Sequence, residues 1–149
     1  MYSTDAIVLK KIDTGEADAF FVCYTKDFGK IRALARGVKK ESAKLKGHLE
    51  TLSLSTIGLV EGRSGFQLTH ASLANPWHGI RTDVMKLDVA FRIAALVDAE
   101  CFERERDDAL WRLLVGALLT LDREEDSRGS AGVFAARLKE TLGYGRRNM

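Results

Sequence analysis

The apolar residues of this chain change their spacing once, at Asn75-Pro76, and that change limits what each half can become. Before it, apolar side chains recur at every second position in short runs parted by glycine-bearing turns, as in strands. After it they recur at three and four, as in helices packed along one stripe. These patterns predict an α+β chain with one unit over residues 1–76 and a helical one over 77–149.

Five runs fit strands in the first unit. Asp5 to Ile12 ends at the turn Asp13-Thr14-Gly15, and Ala19 to Thr25 follows. The second run is apolar on both faces: Phe20, Val22 and Tyr24 point one way, Phe21 and Cys23 the other. Such a strand needs a barrel interior on one side and a covering layer on the other, and the helical unit is the expected cover. After Asp27-Phe28-Gly29 comes Ile31 to Arg36, with Ile31, Ala33 and Ala35 on one face and Arg32, Leu34 and Arg36 on the other. Leu52 to Val60 and Phe66 to Leu73 are joined by the hairpin loop Gly62-Arg63-Ser64-Gly65. Five short strands, with the longest connection between the third and fourth, match an OB-fold barrel, which binds oligonucleotides on one face and in nearby loops.

In the second unit Thr82 or Asp83 caps a helix that places Val84, Leu87, Phe91, Ala94, Val97 and Cys101 on one face. Asp107 or Asp108 opens another, carrying Leu110, Leu113, Leu114, Ala117, Leu118 and Leu121 at helical spacing. Asp122 to Ser130 reads as a polar, mobile linker, and a third helix from about Ala131 stacks Phe134, Leu138 and Leu142 before a C-cap at Gly143.

Charge is concentrated in one stretch. Lys26 to Gly47 holds eight cations (Lys26, Lys30, Arg32, Arg36, Lys39, Lys40, Lys44, Lys46) against Asp27 and Glu41, an excess of six in a chain whose net charge is +2. Phosphate neutralisation supplies most sequence-independent nucleic-acid affinity, so a cationic strand end and loop point to DNA. The plainer alternative is a solvated basic loop. Single-strand binders add aromatic platforms to such a groove. The aromatics near this stretch are Tyr24, Phe28 and Phe66. Strand patterns favour core positions for Tyr24 and Phe66, and Phe28, in a turn, is the one expected to be exposed.

The residues for chemistry are scattered. Gly29-Lys30 lacks the glycine spacing of a phosphate loop, and Gly62-Arg63-Ser64-Gly65 lacks that of a nucleophile elbow. His48, His70 and His78 stand alone, and two cysteines, Cys23 and Cys101, cannot form a four-cysteine zinc site. Asp107-Asp108 and Glu124-Glu125-Asp126 suit a helix start and a solvated loop. No enzyme, metal or cofactor is expected. Leu113 to Leu119 is too short to cross a bilayer and no signal peptide is evident, so the expected place is the cytoplasm.

The order of short motifs resembles the bacterial recombination mediator family RecO. It runs through Ala6-Ile7-Val8-Leu9, Gly15-Glu16-Ala17-Asp18, Tyr24-Thr25-Lys26-Asp27-Phe28-Gly29-Lys30, Arg36-Gly37 with Lys39, Lys40 and Ser42, then Gly47 and Leu49. It continues through Leu68-Thr69 to Phe134, Arg137-Leu138 and Leu142-Gly143-Tyr144. Similar proteins commonly continue into a further segment, in many cases with a four-cysteine zinc site, which implies a short form here. Thr51 stands where the family usually has proline, and so does Arg146 or a near neighbour. The resemblance implies an OB-fold domain and a helical domain that bind single- and double-stranded DNA, anneal complementary strands and act with RecR. It also implies engagement of the acidic C-terminal tail of single-stranded-DNA-binding protein, helping RecA to load, in association with the nucleoid. For that tail the third helix offers Phe134 and Leu138 flanked by Arg137 and Lys139, an apolar notch with cations at its rim. The competing class is a protein-interaction module in which the helical half works and the basic loop grips an acidic partner.

Overall fold

Strand β1 (Tyr2–Thr14), 13 residues long, pairs along both of its edges. In the computed structural model, which describes residues 1–37, 45, 47–124 and 130–143, it runs antiparallel to β2 (Asp18–Thr25) and to β4 (Leu54–Gly62). The register slips between Val8 and Lys10, a bulge that bends the strand so that one chain segment can serve two walls. Strand β3 (Gly29–Ala35) continues antiparallel to β2, and β5 (Gly65–Asn75) returns against β4 through the two-residue turn Arg63-Ser64. A parallel contact, Ala33 opposite Phe66 and Leu34 opposite Gln67, closes the barrel in the order β1-β2-β3-β5-β4. Closure limits the free sheet edge, although β3 and β5 pair at only these two positions. The chain is thus a closed five-stranded OB-type barrel followed by helices.

Alternation along the strands sorts the core into two clusters. Val8, Phe21, Cys23, Ile31, Ala33, Ile57 and Leu59 fill the barrel. Ile7, Leu9, Val22 and Tyr24, one residue out of phase, join Ile93, Val97, Leu114 and Leu118 of the helices. The two-faced β2 is therefore shared between both cores, and the helices are the layer that covers it. Each such large apolar side chain, fully buried, contributes about 1.5–3 kcal/mol.

Among the described residues four helices follow, one more than the periodicity indicates. The addition is α1 (His78–Arg81), a single turn after Pro76 whose length is below what a stripe can reveal. Its neighbour Asp122, expected in a linker, lies inside α3 and its carboxylate accepts from the Ile80 N–H at 3.0 Å. Asp83 caps α2 (Val84–Glu100), accepting from the Met85 and Lys86 amides, and Asp107 caps α3 (Asp108–Arg123), accepting from Leu110. Helix α4 (Ser130–Leu142) ends at Gly143, which has the left-handed φ of 72° typical of a C-cap. Residues 125–129, the rest of the expected linker, lie outside the described residues.

The face expected for α2 is corrected. Val84 is 85% exposed and Phe91 46%, whereas Lys86, Ala90, Ile93, Ala94 and Val97 point inward. The sequence of α2 places apolar residues around most of its circumference, so counting cannot select the buried arc. The barrel wall and α3 select it. On α3, Trp111 joins the buried set, while Leu113 and Ala117 are only half-buried.

Candidate nucleic-acid interface

Period-two geometry puts Lys30, Arg32 and Leu34 on the outside of the barrel, and the helices then treat them differently. Lys30 is engaged: its ammonium meets Asp98 Oδ1 at 3.0 Å and donates to the Asp98 and Cys101 carbonyls at the end of α2 at 2.6 and 3.3 Å. Two residues further on, Arg32 is exposed. Its guanidinium carbon lies 4.0 Å from the ring centroid of Phe20, across the β2–β3 ladder. Arg36 is exposed in the turn after β3, and the adjoining Gly37 N–H donates to Asp18 Oδ1 at 2.7 Å, pinning the exit of β3 to the start of β2. Lys26 is exposed at the opposite end of β3, a strand length or about 20 Å away. Lys39, Lys40, Lys44 and Lys46 lie outside the described residues.

The structure thus groups Arg32 with Arg36, sets Lys26 apart, and ties Lys30 to the helices. It also introduces Phe20, which was not among the aromatics singled out from the sequence. Phe20 faces Ile12 on β1 and Leu34 on β3, so one row across three strands is apolar and at least partly open. Only the strand register reveals that row.

Phe28, the aromatic expected to be free, packs instead against Tyr2 and Phe66, with centroids 5.1 and 5.3 Å away. Arg104 covers Phe66 at 4.3 Å and pairs with Glu61, while Arg106 approaches Asp27, so this end of the barrel is ringed by carboxylates as well as cations. Tyr24 and Phe66 are buried, as the strand pattern indicated. The cysteines are free thiols, and burial pushes Cys23 up to about 12 and Cys101 to about 11, so neither is a thiolate nucleophile at neutral pH. Among the described residues no three His, Cys, Asp or Glu side chains are grouped to hold a metal, and no helix is long and apolar enough to cross a membrane.

On the helical side, Phe134 and Leu138 are each only 2% exposed and belong to the core beneath α4. Helical stripes pack inward, and this one does. Beside it, however, α3 and α4 border a cleft of about 510 Å³ lined by Leu113, Ala117, Val133 and Phe134, with Arg112 contributed by α3 and Arg137 by α4. Glu124 is the one carboxylate lining it among the described residues. Leu138 and Lys139 do not line it; Lys139 is exposed elsewhere on α4.

Comparison with known proteins agrees with this architecture. The family described as Recombination protein O N terminal matches residues 1–77, and that described as Recombination protein O C terminal matches residues 81–147. The chain is 29% identical to the DNA repair protein RecO of a Roseiflexus species, over 97% of this chain and 50% of that protein. It is 29% identical to that of Acetivibrio thermocellus over 95% of this chain and 57% of the other, and 30% identical to one from Dehalococcoides mccartyi over 96% and 56%. The chain spans about half the length of these curated relatives. With both matches in order, on a closed barrel followed by helices, the chain belongs to the RecO family.

Proposed function

We propose that this chain is a non-enzymatic recombination mediator of DNA repair, binding single- and double-stranded DNA and annealing complementary strands. With RecR it assists RecA loading, in the cytoplasm at the nucleoid. The observation that carries DNA binding is the uncovered outer end of β3, where Arg32 and Arg36 face solvent and lead into the lysine-rich connection. Arginines on a rigid strand bind phosphate with little loss of side-chain freedom, and the connection adds counterion release. Relatives named DNA repair protein RecO support the same reading. Anisotropy titration of single-stranded DNA at several salt concentrations tests it: log affinity should fall with log salt by about 0.7 per phosphate neutralised. Binding that ignores salt would favour the alternative, a protein-interaction module.

A second reading concerns the cleft between α3 and α4. Its apolar floor between Arg112 and Arg137 suits the acidic C-terminal tail of single-stranded-DNA-binding protein, whose last apolar side chain needs burial while its carboxylates need cations. This moves the sequence-based site from the buried stripe of α4 to the seam beside it, keeping Phe134 and Arg137 and adding Arg112. Calorimetry with a tail peptide is the direct test.

A further inference from the structure

We propose that Phe20 and Arg32 form a base-stacking platform that makes the barrel face selective for unpaired DNA bases, an inference that rests on the DNA-binding reading above. Phe20 is half-buried on the outside of β2 and belongs to neither core cluster. Its cross-strand neighbours Ile12 and Leu34 are likewise outside both clusters, although Val22 and Tyr24, on the same face of β2, are covered by the helices. The cover therefore stops short of Phe20, and a row of three apolar side chains faces outward there.

Arg32 supplies the specificity. A guanidinium whose central carbon lies 4.0 Å from the Phe20 centroid is held over the ring by cation–π attraction, so its rotamer freedom is restricted before any ligand arrives. Its other face is then offered to a base, and its edge N–H groups to the neighbouring phosphate. Arg36, exposed in the turn after β3, is the next cation along the chain. Every base has a π-face, so the site tolerates any sequence. In a duplex those faces are covered by neighbouring bases, and only phosphates remain for Arg36 and the lysines. The other aromatic group, Tyr2, Phe28 and Phe66, does not compete for this role, because its rings pack against one another, Phe66 is buried, and the cations beside it, Arg104 and Arg106, are paired with Glu61 and Asp27.

The test is anisotropy with three probes of equal length: oligo-dT, a strand made of abasic sites, and a duplex. The protein as it stands should bind oligo-dT about tenfold more tightly than the abasic strand, the ratio set by one stacked base. Phe20→Ala should reduce oligo-dT to the abasic level while duplex affinity and salt slope hold. Phe20→Leu keeps apolar volume but no ring, and should behave as the Ala variant does. Equal affinity of the unsubstituted protein for oligo-dT and the abasic strand overturns the platform without needing any variant. An equal loss for all three probes in both variants also overturns it, leaving Phe20 a support for the fold. Absence of binding to every probe overturns the DNA-binding reading itself, and the platform with it.

Discussion

Lys30 of β3 and Asp98 of α2 meet at 3.0 Å, joining the barrel to the helices, and Lys10 of β1 reaches the same carboxylate at 2.8 Å. Lys30 also donates to two carbonyls at the C-terminal end of α2, where unsatisfied acceptors and the helix dipole favour a cation. A lysine in the most basic part of the sequence therefore acts as a helix cap. Burial alone would raise the Asp98 carboxyl, but the hydrogen bonds from Lys10 and Lys30 outweigh it and hold the group below its ordinary value.

A pH dependence follows. Because the folded Asp98 titrates lower than the unfolded one, its contribution is complete above the unfolded value of about 3.9 and is lost as pH falls through the folded value. Asp98→Asn should destabilise the protein by about 1–2 kcal/mol at neutral pH, since both lysines keep partial access to water. Urea melts of both proteins should differ at pH 7, and the difference should shrink as pH falls below about 3.9. A gap that persists unchanged in acid would show that the carboxylate charge is not what matters.

Trp77 locks the junction between barrel and helices. Its backbone is left-handed at φ 60°, its indole is buried, and Nε1 donates to the carbonyl of Leu52, itself at φ 77°, over 2.8 Å. Trp77→Phe keeps an aromatic body but leaves that carbonyl without its donor. The expected cost is about 1–3 kcal/mol, visible as a lowered melting temperature. Unchanged melting would mean that water replaces the indole.

Replacing Lys39, Lys40, Lys44 and Lys46 together with Ala should weaken DNA binding for every sequence alike. The slope of log affinity on log salt should flatten by roughly 0.7 to 0.9 for each phosphate that the variant no longer neutralises. Circular dichroism establishes folding, and titration the slope. Unaltered affinity and slope would assign phosphate binding to other residues.

Arg137→Glu reverses a charge on the wall of the α3–α4 cleft without entering the core. A peptide ending in acidic residues and one apolar residue should bind at least about tenfold more weakly to this variant, with DNA affinity retained. Arg112→Glu, contributed by α3, should do the same. Calorimetry giving the same peptide affinity in all three proteins would exclude the cleft.

Much of the barrel was legible because strand alternation is local: each residue's face follows from its neighbours two positions away. Ile31, Ala33 and Ala35 inside, with Arg32 and Arg36 outside, needed no knowledge of distant residues. The caps were nearly as local: the sequence offered Thr82 or Asp83 and Asp107 or Asp108, and the structure selects Asp83 and Asp107. Phe20 over against Arg32, and the cleft between Arg112 and Arg137, were not legible, because both depend on which elements lie side by side and in what register.

By itself the sequence determined the five strands and three longer helices, the two faces of β2 and the concentration of cations between Lys26 and Gly47, since these depend on spacing and composition over a few residues. Tertiary structure decided how far the helices extend over the shared outer face. Lys30 and Arg32 have the same strand parity, yet α2 binds the first through Asp98 and leaves the second open above Phe20. Burial of a surface residue depends on packing between segments distant in sequence, and no local period encodes where that cover ends.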